Sequence, residues 1–152
     1  MLLSLLQALN ARVGSVVPGV EPTPEEQALE VALSKEKQRL QQERLKLETE
    51  LKRREQLLEA ADANLRGHEE KIQHFEGMRK AAAREEEVFD AQDGEAAKKR
   101  ATAASVQKSY WWKEEGKASM EKTDIWNARV ERLNAKKAAA ARLAKFNADY
   151  PP

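Results

Sequence analysis

Cysteine is absent from the 152-residue chain. That excludes a disulfide framework, a thiol nucleophile and a thiolate metal site, and it suits a reducing or organelle-matrix setting. Histidine occurs only as His68 and His74. Six positions apart on a helix, the two rings point roughly 240° apart, so they cannot chelate one ion from one face. Glu70 and His74 share a face, but two donors do not complete a metal site. The Glu-x-x-His spacing of helical di-metal centres is also missing. No phosphate-cradling glycine loop or nucleophile elbow is present. Adjacent carboxylates such as Glu85, Glu86 and Glu87 read as solvated helix charge, since acid–base work needs a positioned pair. The sequence therefore predicts no enzyme, no cofactor and no metal.

Large apolar side chains are scarce. Leucine, isoleucine, valine and phenylalanine number 29 together, and aromatics are 5% of the chain. That is a poor endowment for a compact core. Alanine (25), glutamate (21), leucine (16), lysine (15) and arginine (12) dominate instead, the composition of long helices. The expected fold class is all-α and elongated: one long coiled-coil-like helix, two shorter C-terminal helices and little globular core. Order in such a chain is expected to lean on a partner.

The long helix is expected over 24–92, spanning roughly 100 Å at about 1.5 Å per residue. Thr23-Pro24-Glu25-Glu26 marks its start. The threonine oxygen can accept from the amide of Glu26, whose carboxylate can reach back to the cap amide. Pro24 loses nothing at the first helical position, and residues 18–23 form the linker before it. A heptad stripe runs along this helix. One seam position is Leu33, Leu40, Leu47, Arg54, Ala61, His68, Phe75, Ala82 and Phe89. The other is Lys37, Arg44, Leu51, Leu58, Leu65, Ile72, Arg79 and Glu86. This is a coiled-coil pattern with polar interruptions. Regular homodimers keep a cleaner seam, so the interruptions favour a foreign partner helix, with a homodimer as the alternative. A solvated single helix with i,i+4 pairs such as Glu48 and Lys52 is the plainer reading. Gly67 and Gly77 each cost about 1 kcal/mol relative to alanine; the seam runs through both, so a continuous or kinked helix is expected. Asp93-Gly94 reads as the stop, with the glycine in a left-handed C-terminal position.

The net charge of +1 hides an asymmetry. Pro24 to Glu95 holds 13 basic and 19 acidic residues, whereas Ala96 to Ala148 holds 13 basic and five acidic. The basic half either meets a partner surface or folds back on the acidic helix as a hairpin.

The segment 1–17 carries Leu2, Leu5, Leu6, Leu9 and Val13 on one helical face, with Arg12 as its only charged side chain. It is too short and interrupted to span a bilayer and lacks the basic start of a secretory signal. It reads as a retained amphipathic anchor for a protein groove or a membrane interface.

Beyond Gly94, helices are expected over 95–116, ending at Gly116, and over 123–148, capped by Thr123-Asp124. The first ends in Tyr110, Trp111 and Trp112. Adjacent aromatics cannot share one helix face, so at least one ring should point away from the others. Three large rings in so aromatic-poor a chain suggest an interface anchor, against a local mini-core or a base-stacking platform. The last helix offers the face Trp126, Val130, Leu133, Lys137, Ala140 and Ala144.

The candidate partner-binding residues are thus Leu2, Leu5, Leu6, Leu9, Leu40, Leu47, Leu51, Leu58, Leu65, Ile72, Phe75, Tyr110, Trp111, Trp112 and Trp126. The expected function is a non-catalytic accessory subunit that bridges other protein subunits, with a mitochondrial complex as the first setting. A nucleic-acid-associated protein, such as a ribosomal accessory subunit using the basic half, is the second reading. A cytoplasmic, cytoskeletal or axonemal coiled-coil linker is the third.

Overall fold

The computed structural model describes residues 21–152. The expected anchor helix, with Leu2, Leu5, Leu6 and Leu9, lies outside the described residues. Among the described residues the chain is all-helical, with two helices: α1, Pro24–Asp90, and α2, Glu95–Asp149. By contact the chain divides into Met1–Glu43 and Arg44–Pro152, and each unit is taken by itself.

In the first unit the expected start of α1 is formed. The Thr23 amide donates to Glu26 Oε2 at 3.1 Å, and the Glu26 amide donates to Thr23 Oγ1 at 3.3 Å. Two amides that would otherwise lack helical partners are satisfied reciprocally. No described residue of this unit is buried; Leu29, Leu33 and Leu40 are half-buried along their own helix.

The second unit is an antiparallel helical hairpin. Followed along α1, the partners on α2 come in reverse order. Arg44 meets Asn147 and Tyr150, Leu57 meets Arg132, and Asp62 meets Arg129. His68 then meets Ala118, Arg79 meets Glu115, and Glu86 meets Lys108. Of the two readings of the charge asymmetry, the fold-back is the one observed. Every α1 seam position from Arg44 to Phe89 is buried or half-buried, with Leu58, Ala61, Leu65 and Ala82 deepest. Neither Gly67 nor Gly77 breaks the helix, because packing of the whole stripe outweighs a local cost of about 1 kcal/mol each.

The C-terminal half differs from expectation. In place of two helices over 95–116 and 123–148 there is one, unbroken at Gly116 and at Thr123-Asp124. The reason is a second heptad seam. Ala97, Ala101, Ala104, Lys108, Trp111, Glu115, Ala118, Lys122, Ile125 and Arg129 alternate spacings of four and three, and all are buried or half-buried. Glu115 and Ala118 lie on either side of Gly116 and both bond α1. Tertiary contacts therefore hold the helix through its weakest residue. The buried residues of α2 are all alanines: Ala97, Ala101, Ala104, Ala118 and Ala139. The small side chains allow close backbone approach but bury little area.

The helix α1 ends at Asp90, two residues before the expected limit of 92. Gly94 serves as the N-cap of α2 with φ 112° and ψ 161°, rather than as a left-handed C-cap of α1. That region of backbone space is open essentially to glycine alone. A Cβ built at Gly94 would meet nothing within 4 Å, so substitution there acts through conformation only. Gly94→Ala should destabilise the hairpin by about 1–3 kcal/mol, measured by denaturant unfolding; an unchanged midpoint would refute a conformational role.

Candidate interaction surface

The polar interruptions of the α1 seam turn inward and find partners on α2. Arg44 donates from Nε to Asn147 Oδ1 at 3.0 Å and from Nη2 to the Tyr150 carbonyl at 2.5 Å. Its guanidinium also lies 5.7 Å from the Phe146 ring centroid, a cation–π distance. His68, with only 10% of its side chain exposed, donates from Nε2 to the Ala118 carbonyl at 2.7 Å. A carbonyl can only accept, so this bond places the proton on Nε2. Arg79 donates to Glu115 at 2.7 Å. Lys108 Nζ lies 2.6 Å from Glu86 Oε2, an ion pair in contact but without hydrogen-bond alignment. Arg129 donates to Asp62. Of the hairpin's seam interruptions only Arg54 stays within its own helix, pairing with Glu50.

These contacts change where the expected binding residues act. Leu47, Leu51, Leu58, Leu65, Ile72 and Phe75 lie in the hairpin seam, which the chain's own second helix fills. From Arg44 onward α2 lies along the stripe on which a foreign helix, or a second copy, is expected from the sequence. Leu40 belongs to the first unit.

The three adjacent aromatics separate. Trp111 turns inward, with its ring stacked on Phe75 at 5.8 Å and 29° and edge-on to His74 at 6.3 Å. It is half-buried and makes a hairpin contact, as the local mini-core reading has it. The reason is register: Trp111 sits on the heptad row of α2, and its two neighbours do not. Tyr110 sets its ring edge-on to Trp111 at 4.9 Å and remains 52% exposed. Trp112 is 66% exposed.

The face expected on the last helix is inward only in part: Leu133 and Ala140 are half-buried, and Lys137 and Ala144 are exposed. Ile125, Arg129 and Ala139 point inward, whereas Trp126 and Val130 are exposed. The Trp126 ring lies 5.4 Å from the Arg129 guanidinium, whose other contact is Asp62. The inward row of α2 is mostly alanine and charge, so the large apolar residues beside it gave a false stripe. Reading the spacing of four and three onward from Ala97 through Gly116 would have found the correct one.

A shallow groove lies on the outer side of α2. Trp112, Lys113, Gly116, Lys117, Ser119 and Met120 line it. Gly116 is its floor, and a Cβ there would meet nothing within 4 Å. Met120 is 76% exposed. Met120 is a member that the sequence did not single out, and Gly116 was read only as a helix end. Exposed apolar residues set around a bare helix backbone can receive a partner side chain. Among the described residues no group of three metal-ligating side chains occurs, and no helix is long and apolar enough to cross a membrane.

The cross-helix ion pairs are testable separately from the groove. Arg79→Glu places a second carboxylate beside Glu115 and should cost about 1–2 kcal/mol, between the values for exposed and buried pairs. Adding Glu115→Arg should restore most of it in thermal unfolding, and failure of the rescue would sink the pairing as a source of register. No protein-family model matches the chain, and no curated protein or solved structure shows significant similarity to it.

Proposed function

We propose that the protein is a non-catalytic helical scaffold subunit, a coiled-coil hairpin that presents an aromatic docking surface to other proteins. The observation that carries this reading is the exposure of Trp112 and Met120 on α2, at 66% and 76%. Neither side chain supports the hairpin, and large exposed aromatics are the residues that anchor interfaces. Gly116 has the same character. It costs the helix about 1 kcal/mol and relieves no internal clash, yet it opens the backbone between the two exposed side chains.

The reading as a nucleic-acid-binding basic half draws less support. Lys108, Lys122 and Arg129 face Glu86, Glu69 and Asp62 across the hairpin, so part of the positive charge is already neutralised. Phosphate binding by what remains would appear as a steep salt dependence of RNA affinity.

Two substitutions test the docking surface. Trp112→Ala should leave thermal unfolding of the hairpin unchanged and should weaken association with co-purifying subunits by at least about tenfold, as loss of an interface anchor does. Gly116→Ala should stabilise the helix by about 1 kcal/mol while also lowering association, because the new methyl fills the groove floor. Retention of the same co-purifying proteins by both variants, measured after gentle extraction, would overturn the proposal.

A further inference from the structure

The stretch of α1 before Arg44 carries an apolar row of its own. Leu29, Leu33 and Leu40 recur at helical spacing, and none of the described residues before Arg44 is buried. A row of leucines on one helix gains little unless another surface covers it. The order of charge along the stretch indicates what that surface is. Glu25, Glu26 and Glu30 come first; Lys35, Lys37 and Arg39 follow, with Glu36 among them and Glu43 after them. A parallel copy would set glutamate beside glutamate. An antiparallel copy sets Glu30 beside Lys37, twice, by symmetry, and leaves the like-charged Glu26 and Glu43 at the open ends of the row.

We propose that two copies of the chain pair antiparallel through this row, Leu29 of each against the partner's Leu40 and Glu30 of each beside the partner's Lys37. The geometry follows from helix periodicity. Leu29, Leu33 and Leu40 lie within a narrow arc, and Glu30 and Lys37, seven residues apart, lie on one flank of it. A two-fold axis across the helices brings that flank onto itself, so the two flank pairs form together. The same register sets Leu33 beside the aliphatic stem of the partner's Glu36. The Glu36 carboxylate is already held by Arg39 at 2.6 Å, and that hydrogen bond keeps its pKa below the usual carboxylate value. It therefore remains a solvated ion at the rim. The pairing is independent of the groove on α2, so either proposal can fail alone.

The test is the mass of the full chain in solution, by sedimentation over a range of concentrations, with helicity followed by circular dichroism. A concentration-dependent dimer is expected. Leu40→Glu should abolish it while the hairpin melts as before. Glu30→Lys should weaken dimerisation about tenfold by creating two like-charge pairs, and the double variant Glu30→Lys/Lys37→Glu should restore it. A chain that is monomeric throughout overturns the proposal, as does a dimer indifferent to Leu40→Glu or a charge reversal that is not rescued. A monomer that dimerises only after removal of residues 1–20 also overturns it, and would assign the leucine row to the chain's own N-terminal segment.

Discussion

An alanine seam packs closely but does not choose its register. Alanines alone would let one helix slide past the other by a heptad with little loss of buried area. The charged and polar groups in the seam break that degeneracy. Among the described residues Arg44 finds its acceptors at Asn147 and Tyr150, and Arg79 finds one at Glu115. A slip would leave such groups half-buried without partners, and an unmade bond costs more than a made one gains. Everything else in the hairpin, including which aromatics face outward, depends on this alignment.

The division of labour between the two helices follows. The helix α1 supplies bulk through Leu58 and Leu65; α2 supplies proximity through its alanines. Neither supplies much buried area, and no side chain among the described residues is completely buried. Such an interface is modest in strength, and the specific bonds matter for uniqueness rather than for total stability. A hairpin built this way still presents large apolar side chains outward, Trp112 and Met120 among them.

Much of α1 was legible in the sequence. The Thr23 and Glu26 cap and the heptad from Leu47 to Phe89 follow from local rules, and the structure carries both. The polar interruptions were legible as positions but not as purpose. Read singly, Arg79 and Glu86 look like flaws in a coiled coil; their meaning lies in Glu115 and Lys108, far along the chain. The helix α2 was misdivided for a related reason. Gly116 and Thr123-Asp124 are true local break signals, but a break is decided by the balance of local and tertiary terms. The tertiary term becomes visible only when alanine is counted as a seam residue. For the same reason the face of the last helix was set on Trp126, a candidate partner-binding residue, and Ile125 stayed outside the pattern. Trp112 and Tyr110 were legible as candidates, because the rule that neighbours diverge on a helix needs no structure.

The turn at Gly94 also governs the order in which the hairpin assembles. Partners near it are close in sequence: Arg79 and Glu115 are 36 residues apart, and His68 and Ala118 are 50 apart. Asp62 and Arg129 follow at 67, and Arg44 and Asn147 at 103. Once the turn closes, each further contact adds only a short additional loop, whose entropic cost grows slowly with length. Assembly by such a zipper is fast for its chain length, because each step is nearly local once the last is made. The end that closes last, at Arg44 and Tyr150, is the end that opens first. Local opening, and with it amide exchange, is therefore graded along the hairpin, from the Arg44 end towards the glycine turn.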